Sequence, residues 1–211
     1  MSADVILLCA TAVAVGAIHT ILGPDHYLPF VAMSRAGGWN ARKTLGVTIA
    51  CGLGHVAGSV AIGCVGLLLG IAVMRLETLE AIRGDVAAWL LIGFGLAYLV
   101  SGVMRANRRA LHEHAHGTSV WAPWLAFLVF VFGPCEPLIP LLMYPAAQAS
   151  YGAVAAVAGG FALATIGTMV AAVMAMRYGL SWVRLPDPGR FSHALAGLVI
   201  LLCGVLVKVG L

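Results

Sequence analysis

Charge is what this chain has least of. Only 9% of its 211 residues are Asp, Glu, Lys or Arg, while 62% are apolar; a typical soluble domain is about 25% charged. A water-soluble fold of this size has no means of hiding so much apolar surface, whereas a bilayer requires it. So few basic residues exclude a nucleic-acid partner. No phosphate-binding Gly-Lys loop occurs, so no ATP drive is built in, and Gly52-Leu53-Gly54 has no preceding strand to make it a dinucleotide fingerprint. No Gly-x-Ser-x-Gly elbow is present either, and the chain is not expected to be an enzyme. There is no Cys-x-x-Cys pair: of Cys9, Cys51, Cys64, Cys135 and Cys203, all but Cys135 sit in apolar runs as small hydrophobes. The first residues lack a basic segment, so the first apolar helix is expected to be retained.

What is present is a series of apolar runs. A bilayer core takes about 20 residues per helix, and spans are predicted at 5–34, 44–73, 86–105, 121–147, 151–176 and 191–210. The chain is therefore read as an all-α polytopic membrane protein of six transmembrane helices, with lipid as its surroundings. Its 26 glycines suit close helix approach. Three loops, between helices 1 and 2, 3 and 4, and 5 and 6, hold nine of the twelve basic residues: Arg35, Arg42, Lys43, Arg105, Arg108, Arg109, Arg177, Arg184 and Arg190. Arg75, Arg83 and Lys208 are placed on the other side. The positive-inside rule puts the nine in the cytoplasm and both termini outside, in a cytoplasmic (inner) membrane.

The chain also repeats itself at a spacing of 110 residues. Gly23-Pro24-Asp25-His26 corresponds to Gly133-Pro134-Cys135-Glu136, and Leu53-Gly54-His55 to Leu163-Ala164-Thr165. Proline lacks the amide proton a helix needs, so helices 1 and 4 are expected to break at Gly-Pro. Two three-helix halves, 1–110 and 121–211, joined by a linker at 111–120, must then have opposite topology. Inverted repeats with interrupted helices are a transporter signature, with the site near the midplane.

Ionisable groups inside a bilayer are costly and tend to be functional. Here they gather on three helices: His19, Asp25 and His26 on the first, His55 on the second, Cys135 and Glu136 on the fourth. Imidazole, carboxylate and thiolate suit nickel, cobalt, zinc, iron(II) or copper better than magnesium or calcium. His19 and His26 would be about 10.5 Å apart along a regular helix, too far for one ion, unless the break folds them together. Asp25 is either a ligand or an acceptor that orients His26 or His55; Asp25 and Glu136 are alternatively helix caps or proton carriers. His112, His114 and His116 form an alternating run in the linker, a possible accessory metal site or a solvated loop.

The segment His19-Thr20-Ile21-Leu22-Gly23-Pro24-Asp25-His26, followed by Gly54-His55, resembles the nickel/cobalt transporter superfamily of nickel permeases, nickel/cobalt efflux proteins and urease-accessory-type membrane proteins. Five residues separate His19 from Asp25-His26, where the family usually has four. The resemblance implies that His19, Asp25, His26 and His55 select the metal. Gly133-Pro134-Cys135-Glu136-Pro137 is more distantly similar to the thiol carriers of cytochrome c maturation, although the position paired with Cys135 is Asp25 rather than a second cysteine. The expected function is secondary transport of a divalent transition-metal ion, nickel or cobalt first, which is substrate and not a permanent cofactor. A thiol-disulfide carrier using Cys135, a sulfite-type anion exporter, and an accessory subunit handing metal to an enzyme remain as alternatives, and a homo-oligomer is possible.

Overall fold

A computed structural model describes residues 3–68, 73–109, 121–133, 135, 137–148, 150–182 and 189–210. Among them every regular element is helical: α1 (Ala3–Leu22), α2 (Leu28–Ala36), α3 (Ala41–Leu68), α4 (Val73–Arg109), α5 (Trp121–Phe132), α6 (Leu138–Ala147), α7 (Tyr151–Trp182) and α8 (Ser192–Lys208), with single 3-10 turns at Pro24–His26 and Gly189–Phe191. Five helices are long and apolar enough to cross a membrane: Ala3–Leu22, Ala41–Gly66, Met74–Asn107, Tyr151–Gly179 and Gly189–Lys208. Large apolar side chains stand outward all along them, among them Leu7, Leu22, Met74, Trp89, Leu163 and Val209. That is the surface of a multi-pass membrane protein, since lipid is the only solvent that tolerates it.

Both interruptions follow from local chemistry. Gly23 is extended (φ −89°, ψ 95°) because the ring of Pro24 disfavours the α region for the residue before it. Its N–H still bonds the His19 carbonyl at 3.0 Å, closing α1, while its own carbonyl takes the His26 N–H at 3.0 Å. The chain restarts as α2 with a proline, Pro29, in its first turn, where a missing donor costs nothing. In the second half α5 ends at Phe132 and α6 begins at Leu138, with the Leu138 N–H bonded to the Cys135 carbonyl at 2.9 Å. The predicted long helix over 121–147 is thus two short ones, α5 and α6.

One boundary differs more substantially. The helix predicted at 86–105 begins at Val73, so Glu77, Glu80, Arg83 and Asp85 are helical and not loop residues. The charges there lower the hydropathy of any window, but Glu80 and Arg83 neutralise each other three residues apart on one face. The pairing removes the cost that the window counts.

α4 and α8 form the most extensive helix pair, α1 lies on α7, α2 on α8, α3 on α5 and α7, and α6 on α7 and α4. Glycines allow the α4–α8 contact: a methyl on Gly197 would lie 2.2 Å from the Leu99 amide nitrogen, and one on Gly95 2.3 Å from that of Leu201. Backbone cannot step aside as a side chain can. Gly197→Ala is therefore expected to lower the melting temperature in detergent, with an overpacking cost of about 1–3 kcal/mol. Ala at Gly46, whose added methyl meets nothing within 4 Å, is the control and should leave it in place.

Candidate metal centre

The break after α1 turns the chain so that His26 points back toward His19. Their ring centroids are 4.9 Å apart in an edge-to-face arrangement, whereas a continuous helix would have separated the residues by about 10.5 Å. His55, from the middle of α3, closes the group from the other side, its ring 5.0 Å from that of His26. One ring nitrogen from each of His19, His26 and His55 lies within 4.8 Å of the others. His26 and His55 are buried, at 3% and 2% exposure, and His19 is partly buried.

The hydrogen bonds assign the proton on His26. Its Nδ1 lies 3.1 Å from the Gly23 carbonyl and 3.2 Å from the Asp25 carboxylate. Both are acceptors, so Nδ1–H must be the donor and a neutral ring turns the lone pair of Nε2 the other way. That Nε2 faces His55 Nε2 at 3.3 Å. Two imidazole nitrogens on one tetrahedral ion, at about 2.0–2.1 Å each, are about 3.3–3.4 Å apart. The pair therefore has the spacing of two ligands of one ion, and equally that of a proton shared between rings.

Two atoms decide between these uses. His19 Nε2 and His55 Nδ1 are buried and have no hydrogen-bond partner. A buried imidazole nitrogen without a partner costs about 1–3 kcal/mol, which a bound cation would remove for His19. For His55, the nearby Phe130 carbonyl is the acceptor its Nδ1–H would turn to if Nε2 held a metal. Asp25 serves here as the acceptor that orients His26, the arrangement in which a carboxylate fixes the tautomer of a metal-binding histidine. It also lines, with His55, Ala87, Leu91, Val129, Phe130 and Gly133, a small pocket of about 30 Å³, room for a single ion or water.

Glycine makes space on both sides of this group. A methyl on Gly23 would lie 2.5 Å from His26 Nδ1, and one on Gly133 2.6 Å from His55 Nδ1. Gly23 is not needed for its torsion, since its φ is negative; the space is what matters. Gly133→Ala is expected to push the His55 ring out of register and to weaken the binding of any metal ion held there about 10–100-fold, as loss of an orienting partner does. Calorimetric titration of the purified protein would show it, with circular dichroism confirming unchanged helix content.

Of the residues singled out in the sequence, His19, Asp25, His26 and His55 come together. Cys135 does not belong to the three-histidine group. It is fully buried in an apolar cluster with Ala12, Val56, Leu138, Leu142, Val157 and Phe161, and its backbone N–H bonds Ser59 Oγ at 3.1 Å and Glu80 at 3.2 Å. Pro134, Glu136, His112, His114 and His116 lie outside the described residues, as does the 111–120 linker.

Two polar groups were missed. Glu80, with no exposed surface, accepts from Ser59 Oγ at 3.0 Å and from the Cys135 N–H at 3.2 Å. Arg83 pairs with Glu80 and donates to Ser59 Oγ at 3.1 Å, to the Val131 carbonyl at 3.0 Å and to the Gly133 carbonyl at 2.9 Å. The second group is Arg177 with Ser34 and Thr44, at the far end of α3. The only sequence signal was the Glu80-x-x-Arg83 spacing, which reads as an ordinary helix-surface pair. Compared with family models, curated proteins and solved structures, the chain finds no match.

Proposed function

We propose that this protein is a secondary transporter of a divalent transition-metal ion, with the ion as its substrate. The observation that carries the proposal is the His19–His26–His55 group, held across a helix break in an apolar bundle with two buried imidazole nitrogens, His19 Nε2 and His55 Nδ1, unpartnered. Ionisable residues at membrane depth are expensive and mark ion pathways. Three imidazoles with an orienting carboxylate suit nickel, cobalt, zinc or copper, and the likeness of His19…Asp25-His26 and Gly54-His55 to the nickel/cobalt transporter superfamily puts nickel and cobalt first.

The finer architecture belongs to the same proposal: six spans, α1–α2 and α5–α6 each counting as one broken span, in two inverted halves. The helix contacts support it. α1 packs on α7 as α5 packs on α3, α2 on α8 as α6 on α4, and α2 on α3 as α6 on α7, while α3 meets α7 and α4 meets α8. Exchanging the halves maps these pairs onto one another, whereas the α4–α5, α1–α6 and α3–α4 contacts have no counterpart of comparable extent among the described residues. The nine basic residues predicted in the loops, of which Arg35, Arg42, Lys43, Arg105, Arg108, Arg109 and Arg177 fall in the end turns of helices, favour an inner membrane with both termini in the periplasm.

The alternatives draw less support. A thiol carrier must present its sulfur to a partner, and Cys135 has no exposed surface. An anion exporter would use free cationic groups, and the guanidinium groups of Arg83 and Arg177 are both engaged by the protein itself.

The deciding experiment is flux. Proteoliposomes with an entrapped metal-sensitive dye should accumulate nickel or cobalt faster than empty liposomes, and the purified protein should retain the same metal on mass spectrometry. Neither retained metal nor flux with nickel, cobalt, zinc or copper would overturn the reading.

A further inference from the structure

Helix α3 carries three polar positions that all reach across the bundle. Thr44 lies at one end, His55 in the middle and Ser59 beyond it. Along the helix, Thr44 is about 16.5 Å from His55 and Ser59 about 6 Å on its other side. Each outer position belongs to a network built on one arginine.

At the Thr44 end, Arg177 of α7 donates to Ser34 Oγ of α2 at 2.6 Å and reaches Thr44 Oγ1 at 3.5 Å. Thr44 donates to the Asn40 carbonyl at 3.0 Å, so the Ser34 hydroxyl is the donor in its 2.9 Å bond with Thr44. Ser34 and Thr44 are buried. At the Ser59 end, Arg83 and Glu80 of α4 hold Ser59 together with the end of α5 and the first residues after it, through Val131, Gly133 and Cys135. Gly58 leaves room for this: a methyl there would lie 2.6 Å from the Arg83 guanidinium and 2.8 Å from the Val131 carbonyl.

The two networks share a design. Each joins the first half of the chain to the second, one by an arginine from the second half and the other by an arginine from the first. They stand on opposite sides of the histidine group along α3, about 16.5 Å and about 6 Å from His55. Both are made of polar contacts, which water can replace when an end opens, so that breaking one does not expose a large apolar face. With both made, His26 and His55 are sealed, at 3% and 2% exposure.

We propose that these networks, Arg177–Ser34–Thr44 and Arg83–Glu80–Ser59, are the two gates over the histidine centre, each opening independently of the other. What passes between them rests on the transport reading; the gating does not. Two native cysteines report on the ends separately. Cys51 is buried on α3 against α7, with Met169 and Val173 in the same cluster, and is seven residues, two helical turns, beyond Thr44. Cys135 is buried beside the other network, its N–H bonded to Ser59 and Glu80.

The test is maleimide labelling of the full chain in nanodiscs, read by peptide mass spectrometry. Both cysteines should be slow in the unmodified protein. Arg177→Met should speed labelling of Cys51 by an order of magnitude and leave Cys135 protected. The double variant Glu80→Gln with Arg83→Met, which leaves no buried charge unpaired, should do the reverse. If either variant exposes both cysteines, or neither cysteine responds in protein that remains monodisperse, the gates are wrong. Where a variant does not purify, hydrogen exchange of the unmodified protein serves: separate opening rates for 41–48 and 133–138 support two gates, and one common rate overturns them. Nickel titration of the unmodified protein is run alongside. Cysteines that respond separately in a protein that binds no nickel, cobalt, zinc or copper would leave the gates standing and remove the metal.

Discussion

His26→Ala is expected to cost more than about 100-fold in nickel affinity, or about 2.7 kcal/mol, and with it all measurable flux. The geometry singles out this residue. Its ring is next to both of the others, 4.9 Å from that of His19 and 5.0 Å from that of His55, so its loss removes one member of the 3.3 Å nitrogen pair and leaves two donors of three. His55→Ala removes the other member of the 3.3 Å nitrogen pair and should be nearly as severe. Asp25→Ala is different in kind. It takes away one of two acceptors on His26 Nδ1 and leaves the Gly23 carbonyl at 3.1 Å, so about 10–100-fold is expected, the usual cost of an outer partner. Isothermal titration and bound-metal mass spectrometry measure all three. Metal content unchanged in both His26→Ala and His55→Ala would sink the assignment of the centre, whatever the flux.

These residues were visible in the sequence for a physical reason. Proline chemistry acts through nearest neighbours, so the ends of α1 and α5 could be placed to the residue from Gly23-Pro24 and Gly133-Pro134. Histidine and aspartate in apolar runs stand out because burial penalises them. Distance was not legible in the same way. A regular helix keeps His19 and His26 apart, and only the turn at Pro24–His26 brings their rings together. Sequence could say that the break might do so, not that it does. The expectation for Cys135 followed the thiol, and its bonds through the amide to Ser59 and Glu80 went unseen, because every residue but proline carries that donor and no sequence pattern can reveal its partner. Glu80 and Arg83 were set among loop charges because hydropathy treats each charge as isolated. Their partners Ser59, Val131 and Gly133 lie 21 to 50 positions away, a separation at which only the folded chain knows who meets whom.

Arg83→Ala is expected to destabilise the fold by about 3–5 kcal/mol, because it strands the Glu80 carboxylate with no exposed surface and no cation. It also leaves the carbonyls of Val131 and Gly133 without their donor, at the end of α5 where helix carbonyls lack intrahelical partners and the dipole is negative. Lysine cannot substitute fully: one ammonium has three protons, and Arg83 serves Glu80, Ser59 and two carbonyls from a planar fork. Arg83→Lys should therefore fall between. The informative comparison is the double variant. Glu80→Gln with Arg83→Met removes more groups than Arg83→Ala yet should be the more stable, since no buried charge remains unpaired. The pair Lys208–Asp85, also between helices, gives the baseline. Its side chains are 36% and 52% exposed, and such surface pairs contribute about 0–1 kcal/mol, so Lys208→Ala should barely move the melting temperature. Thermal unfolding in one detergent, followed for all four variants, orders them: Lys208→Ala nearest the unmodified protein, the double variant and Arg83→Lys lower, Arg83→Ala lowest. An Arg83→Ala protein as stable as Lys208→Ala would mean that Glu80 does not depend on Arg83, and the Arg83 gate would lose its anchor.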